Sequence, residues 1–328
     1  MRVLVTGGTG FIGSRLALRC ADRGDEVRVL AQENTEAESA NRKALESAGV
    51  ELRLGSVTDP EPIRDAMEGV DLVVHLAATQ HEMNVPDEKF YAVNVEGTRN
   101  VLDAAAEANV RRVVHGSTIG VYGKPDGVLD EESAVDPDNI YGVTKLEGER
   151  LALDQGDRVP VVAVRIPEVY GPGDRRLLKL FKAIDRGAFF MIGGGRNLHH
   201  LIYVDDLVDG LLAAAEALDT PGELFLLAGP EPVSTDRMVL AVAEAVGKPG
   251  PRFRAPLWPF VILATAMELT LRPLGIQPPL HRRRLDFFRK SFELSVAKAR
   301  RVFGFSPSVS FEEGARRTAD WYRAEGLL

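Results

Sequence analysis

Short runs of β-branched and aliphatic residues alternate with longer stretches of helical spacing through the first half of the chain. Val3–Val5, Val27–Leu30, Leu52–Leu54, Leu72–Leu76, Val113–His115 and Val161–Ile166 predict strands. Between them Ser14–Ala21, Asn94–Asn109 and Gly142–Leu153 carry apolar residues at helical intervals. Strand, helix and strand in repetition predicts parallel pairing through right-handed crossovers, hence an α/β fold built on a doubly wound parallel sheet. The run Asp71–Leu76 is apolar on both faces, as a strand covered by helices on both sides requires.

The second half is less regular. Gly and Pro become dense at Tyr170–Asp174, Gly193–Gly195 and Pro249–Pro259, which predicts a smaller, loop-rich lobe interleaved with the main sheet. The expected division assigns 1–166 and 200–230 to the sheet domain, and 167–199 and 231–328 to a substrate lobe. The longest apolar stretch, Ala255–Leu271, is broken by Pro256, Pro259 and Glu268. It is shorter than the roughly 20 residues needed to span a bilayer. It reads either as a buried helix of the smaller lobe or, with the basic run Arg282–Arg284, as a peripheral membrane contact through 255–284.

Composition narrows the class. The chain has 328 residues, 45% of them hydrophobic, which is too apolar for disorder and long enough to bury a core without disulfides. Cys20 is the one cysteine, so no internal disulfide framework exists and a reducing compartment is the simpler expectation. Lys and Arg number 40 against 48 Asp and Glu, and a net charge of -8 gives no global attraction for nucleic acid. Met1–Val5 reads directly as a strand with no leader pattern, and the chain is expected to be cytoplasmic.

Two motifs carry chemistry. Thr6-Gly7-Gly8-Thr9-Gly10-Phe11-Ile12-Gly13 lies between the first strand and a helix, with glycines at 7, 10 and 13. Glycines there permit a tight turn and close backbone approach, and the helix N-terminus attracts a pyrophosphate. The second strand ends Leu30-Ala31-Gln32-Glu33, with neither an Asp for ribose hydroxyls nor an Arg for a 2′-phosphate. Gln32 can bond a hydroxyl and Glu33 would repel a phosphate, so NAD is expected, with NADP left open.

In the second motif, Tyr141 and Lys145 stand four residues apart, on one face of a helix. A phenol titrates near pH 10 and needs a nearby cation to act as a base, which Lys145 is placed to supply. The segment Gly116-Ser-Thr-Ile-Gly120 could also be read as a nucleophile elbow, but its centre is Thr118 and no convincing triad histidine lies near the C-terminus. No metal is expected: adjacent His199 and His200 cannot readily face one ion, and no Cys pair assists them.

Together the glycine motif, His75-Leu76-Ala77-Ala78, Asn94-Val-Glu-Gly-Thr98, Gly116–Gly123, Tyr141/Lys145, Val169–Asp174 and Ile202–Asp206 resemble the extended short-chain dehydrogenase/reductases, in family order along essentially the whole chain. The resemblance implies a Rossmann-type fold, a nicotinamide cofactor and a secondary alcohol or ketone as small-molecule substrate. It makes Thr118, Tyr141 and Lys145 catalytic. Tyr141 takes the substrate proton, Thr118 bonds the same oxygen, and Lys145 holds the nicotinamide ribose while lowering the Tyr141 pKa. Gly7, Gly10, Phe11, Ile12, Gly13, Gln32, Ser56, Val57, Leu76, Ala77, Ala78, Asn94, Pro167 and Val169 are implied at the cofactor. Thr79, Ser117, Glu168, Arg175 and His199 are implied at the substrate.

The same resemblance implies a homodimer through the helices beginning near Asn94 and Tyr141, with Ala104, Ala105 and Ala108 facing the neighbour or else packing on the sheet. The nucleotide-sugar 4-epimerases and dehydratases of the family usually carry an Asn and an Arg where this chain has Glu168 and His199. Arg175, Arg176 or Arg196 would then have to hold a diphosphate. The apolar stretch followed by Pro278-Pro-Leu-His-Arg-Arg-Arg284 is similar to the 3β-hydroxysteroid dehydrogenase branch, which favours an apolar substrate. A nucleotide-sugar epimerase or dehydratase is the alternative, and a non-catalytic NAD(P) sensor is a second one.

Overall fold

Alternate residues of the first strand face opposite layers: Val3 and Val5 pack into one core and Leu4 into another. That alternation, repeated across the sheet, is what a two-sided covering of helices demands. The computed structural model describes residues 1–80, 85–124, 127–156, 158–217, 219–251, 253–271 and 282–328, apart from the side chains of 282–284. Among these residues the main sheet has seven strands: β1 (Arg2–Thr6), β2 (Glu26–Ala31), β3 (Glu51–Leu54), β4 (Leu72–His75), β5 (Arg112–Thr118), β6 (Val161–Ile166) and β7 (Glu223–Leu226). Every pairing is parallel, in the order β3-β2-β1-β4-β5-β6-β7. The order reverses between β1 and β4, so a crevice opens at the carboxyl ends of these strands. The sequence pattern missed β7, a four-residue edge strand that follows Gly222 at φ 76°.

Helices α1 (Phe11–Asp22), α2 (Glu36–Ser47) and α3 (Pro60–Met67) connect the first four strands. Thr35 and Asp59 cap α2 and α3 with their side chains, and Asn139 does the same for α6 (Ile140–Leu153). The stretch predicted as one helix from Asn94 is interrupted. Helix α4 (Asp87–Tyr91) passes through a π turn at Ala92–Glu96 into α5 (Gly97–Glu107). Gly148 of α6 explains the close approach there, since a Cβ would sit 2.5 Å from the Asn94 carbonyl oxygen.

Ala104 and Ala105 are buried within the chain, packed in the core beneath α3 and α5. They therefore pack inward and do not face a neighbour; Ala108 is exposed. A third core gathers α7 (Leu178–Asp185), α8's preceding residues Leu201 and Tyr203, α9 (Thr235–Val246) and α12 (Phe311–Ala324), with α8 itself spanning Val204–Glu216. The stretch 296–305, expected in the smaller lobe, returns to the sheet: Ala299 of α11 (Ala297–Phe303) and Phe305 join the core around α1 and α8. Gly210 makes room for it, because a Cβ there would lie 2.7 Å from the Phe305 ring.

The apolar stretch forms α10 (Leu257–Leu271). It is not buried: Ala264 and Glu268 alone of its residues are, while Trp258, Ile262 and Leu269 are well exposed. Residues 278–281 of the Pro278–Arg284 motif lie outside the described residues.

Candidate active site

At the crevice the chain makes a tight turn after β1. Gly7 has φ 68°, and its N–H donates to the Leu30 carbonyl at 3.0 Å. A Cβ on Gly7 would lie 2.8 Å from the Ala77 nitrogen, and one on Gly13 would lie 2.3 Å from the Gly7 oxygen. Only glycine permits these approaches. Helix α1 starts from Gly10 without a side-chain cap and with no acid in its first turn. The N–H groups of Phe11, Ile12 and Gly13 are therefore the open donors of a helix N-terminus, and all three residues line the cleft. This cradle fits a pyrophosphate.

The cleft has a volume of about 1560 Å³. Gln32, Ser56, Val57, Leu76, Ala77, Ala78, Pro167 and Val169 line it. Glu33, expected to repel a phosphate, is already paired. Its carboxylate accepts from Ser39 at 2.6 Å and from Arg42 at 2.7 Å, so a cation already offsets its charge.

A continuous set of hydrogen bonds holds the Leu76–Thr79 loop. The Ala77 N–H donates to Thr6 Oγ1, which lies 2.7 Å from His75 Nδ1; His75 Nε2 lies 3.1 Å from Thr98 Oγ1. Thr98 spends its own proton on the Asn94 carbonyl, so His75 donates from Nε2 and accepts at Nδ1. Burial, with the charge of Lys145 adding to it, pushes the His75 pKa down to about 3 and keeps the ring neutral. Asn94 completes the clamp: Oδ1 accepts from the Thr79 N–H at 2.8 Å, and Nδ2 donates to the Thr79 carbonyl and to Thr144 Oγ1. Asn94 is buried behind the cleft wall and ties the loop to α6; its neighbour Val93 lines the cleft.

Tyr141 and Lys145 project from the first turns of α6. The Asn139 cap accepts from the Gly142 N–H, and Gly142 lets α6 press on the Ile119–Tyr122 turn that follows β5, where a Cβ would be 2.8 Å from the Gly120 oxygen. Tyr141 and Thr118 line the same cleft, and Thr118 Oγ1 accepts from the Gly120 N–H at 3.1 Å. Lys145 Nζ donates to the Gly116 carbonyl. Burial lowers the Lys145 pKa to about 8, although Glu149 opposes the shift.

The expectation that Lys145 depresses the Tyr141 pKa is not met in the free protein. Burial raises it, and the Thr118 hydrogen bond and the charge of Arg176 pull it partly back. A phenolate deprived of water is disfavoured more strongly than the nearby cations favour it.

Ser117 lines the cleft wall, but its hydroxyl donates to Glu149 Oε2 at 2.6 Å. Glu149 in turn receives two bonds from Arg165, at 3.0 and 2.7 Å, and Arg165 also reaches the Tyr122 hydroxyl. Ser117 thus gives its hydroxyl proton to a buried network beneath the site. Glu149 and Arg165 escaped the sequence reading, since a charge on a predicted strand and one on a predicted helix give no sign of meeting.

At the outer end Thr79, Glu168, Arg175 and His199 do share the cleft. His199 is held by Thr235 Oγ1 at 2.9 Å and by Asn197, and burial lowers its pKa even though Glu168, 3.9 Å away, opposes the shift. A neutral imidazole results. His200 points elsewhere, accepting from the Leu294 N–H and bonding the Gly229 carbonyl. Among the described residues no group of His, Cys, Asp or Glu is arranged to hold a metal.

Phe287, Arg289, Lys290 and Phe292 also line this end, and the sequence offered no signal for them. Lys290 straps the segment down, donating to the Gly123 carbonyl at 3.0 Å and to Asp138 at 2.6 Å just before α6.

A sheet that reverses order at a glycine cradle, with Tyr141, Lys145 and Thr118 at the same crevice, defines a nicotinamide-nucleotide enzyme of the Rossmann class. The chain belongs to the NAD dependent epimerase/dehydratase family, whose pattern matches residues 3–228. It is 31% identical to a 4-hydroxy-2-methyl-3-oxo-4-farnesyl-3,4-dihydroquinoline-1-oxide ketoreductase of Stigmatella aurantiaca, over 96% of this chain and 94% of the relative. It is 29% identical to a 3 beta-hydroxysteroid dehydrogenase/Delta 5-->4-isomerase of Mycobacterium tuberculosis, over 98% and 90%. It is 28% identical to the sterol-4-alpha-carboxylate 3-dehydrogenase, decarboxylating, of Mus musculus, over 96% and 89%. Among solved structures, MoeE5 in complex with UDP-glucose and NAD superposes with a TM-score of 0.77 at 27% identity, covering 99% of each chain.

Proposed function

We propose that the protein is an NAD-dependent oxidoreductase that interconverts a secondary alcohol and its ketone on a largely apolar substrate. The observation that carries this reading is the meeting of Tyr141, Thr118, Lys145 and the glycine cradle in one crevice. NAD supplies the hydride acceptor when bound and, in its oxidised form, a positive charge in the cleft. The N–H groups of Phe11, Ile12 and Gly13 would hold its pyrophosphate, and Lys145 its nicotinamide ribose. Tyr141 removes the proton of the substrate hydroxyl as the carbon loses hydride, and returns it in reduction. Thr118 bonds the same oxygen and fixes its distance from the phenol. Because burial keeps Tyr141 protonated in the free protein, it enters ketone reduction ready as the acid.

An apolar substrate is supported by Phe287 and Phe292 at the outer end and by the neutral His199 that the Phe287 ring packs against at 4.7 Å. The named activities of the relatives, on sterols and a farnesylated quinoline, lie in the same chemical range. A second reading, a nucleotide-sugar epimerase or dehydratase, is favoured by Arg175 and Arg289 on the same cleft wall, since guanidinium groups suit a diphosphate. Supplying purified protein and NAD with a 3β-hydroxysteroid, and separately with UDP-glucose, distinguishes the two. Accumulation of NADH with the steroid alone is expected. Conversion of the UDP-sugar without net NADH would overturn the oxidoreductase reading.

A further inference from the structure

Of the acids Glu33, Glu36 and Glu38 that follow β2, it is Glu38 that lines the cleft, beside Gln32, Asn34 and Ala37. Glu33 is spent on Ser39 and Arg42, and Arg42 is held on its other side by Glu46 at 3.0 Å. Glu36 is exposed, whereas Glu38 is half-buried in the first turn of α2.

The Glu38 carboxylate is fixed by the start of its own helix. Oε2 accepts from the Asn34 N–H at 2.8 Å and from the Thr35 hydroxyl at 3.2 Å, while the Glu38 N–H donates back to Thr35 Oγ1. Among the described residues Oε1 receives no hydrogen bond, so it keeps its acceptor capacity. Helix α2 is in turn tied to the glycine cradle. Asn41, one turn beyond Glu38, donates to the Thr9 carbonyl at 2.8 Å, and the Thr9 hydroxyl donates to the Gln32 carbonyl at 2.9 Å. Glu38 is thereby set beside the turn that fits a pyrophosphate.

An acid near the end of the second strand commonly takes the adenosine ribose, and an Arg there takes a 2′-phosphate. This strand end offers neither. Gln32 is neutral, and its Oε1 already accepts from Asn34 Nδ2 at 3.3 Å. Between Leu30 and Val57 the cleft wall carries no Lys or Arg among the described residues. The first turn of α2 would by itself favour a phosphate, as the positive end of a helix does. Glu38 reverses that preference with a full negative charge.

We propose that Glu38, supplied by the helix and not by the strand end, selects NAD over NADP. Its carboxylate accepts a hydroxyl of the adenosine ribose and repels a phosphate on the same ribose. The assignment rests on the reading of this cleft as an NAD site and is independent of the alcohol or sugar that the site serves.

The test is calorimetric titration of the full-length protein with NAD and with NADP, for wild type, Glu38→Gln and Glu33→Gln, each with a thermal melt. Wild type is expected to bind NAD roughly tenfold or more tighter than NADP. Glu38→Gln keeps an acceptor for the Asn34 N–H and should melt as wild type does. It should bind NADP about tenfold more tightly and NAD only a few-fold more weakly. Glu33→Gln should leave the ratio of the two affinities unchanged. Added salt should narrow the wild-type ratio, because screening weakens the repulsion, and leave that of Glu38→Gln where it was. This salt series needs no variant, so it holds even if Glu38→Gln folds poorly. A salt-indifferent wild-type ratio, an unchanged ratio in Glu38→Gln, or an equal change in Glu33→Gln overturns the assignment and leaves the NAD site standing. Binding of neither nucleotide by wild type overturns both.

Discussion

Tyr141 shares its cleft with Thr118, and beside it Gly142 lets α6 settle against the turn after Thr118, where a Cβ would lie 2.8 Å from the Gly120 oxygen. Removing the phenol oxygen should therefore cost proton transfer and little else. Tyr141→Phe is expected to lower kcat by about a thousandfold while NAD affinity stays within a few-fold, and Thr118→Ser to retain most activity where Thr118→Ala loses it. Steady-state kinetics with a cofactor titration check this. Undiminished turnover of Tyr141→Phe would remove Tyr141 from the mechanism.

Gly13 and Gly10 lie in the same motif but differ in room. A Cβ at 13 meets the Gly7 oxygen at 2.3 Å, whereas one at 10 is 3.1 Å from it. Gly13→Ala should abolish NAD binding and lower the melting temperature markedly, while Gly10→Ala folds and binds more weakly. Calorimetric titration with NAD, alongside thermal melts, compares them; equal behaviour of the two variants would contradict the close packing described.

Asn94 satisfies both backbone groups of Thr79 and reaches Thr144 on α6. Asn94→Leu leaves buried polar groups unpaired and is expected to cost about 2–4 kcal/mol, since each such group costs roughly 1–3 kcal/mol. Because Asn94 sits behind the cleft wall, the variant's kcat for the folded fraction should fall less than that of Tyr141→Phe. Denaturant unfolding and kinetics on the same preparation measure both.

His75, His115, His199 and His200 all have pKa values lowered by burial. The unfolded chain therefore binds more protons than the folded one as pH falls below about 6.5, and stability must fall with it. His75 alone, with a folded pKa of about 3, accounts for a loss of about 2 kcal/mol between pH 7 and pH 5. Unfolding curves at the two pH values measure the loss, and a flat profile would show that these rings are not held neutral. Lys145 acts in another window: its folded pKa of about 8 lies below the ordinary lysine value, so its burial costs stability below pH 8 and that cost fades toward pH 10.5.

The parallel sheet and the glycine cradle were legible because they rest on local rules. A buried parallel strand must be apolar throughout, and a turn that passes within 2.8 Å of Ala77 must be glycine. Tyr141 and Lys145 were legible because helical spacing alone puts them on one face. The π turn at Ala92–Glu96 was not, since it answers to the approach of Gly148 from a helix some fifty residues later. Nor was the strand β7, whose four residues take their place from pairing with β6.

What the amino-acid order determined by itself is therefore the layered α/β architecture, the phosphate cradle and the Tyr–Lys pair, because each is set by interactions within a turn or two of chain. Only the tertiary structure decided which groups those residues meet. It committed Ser117 to Glu149, tied Asn94 to both backbone groups of Thr79 and to Thr144 on α6, and raised the Tyr141 pKa where proximity to Lys145 had suggested a lower one. It also turned the apolar face of α10 outward. Burial and long-range partners set charge and hydrogen bonding, and neither is written in the spacing of residues along the chain.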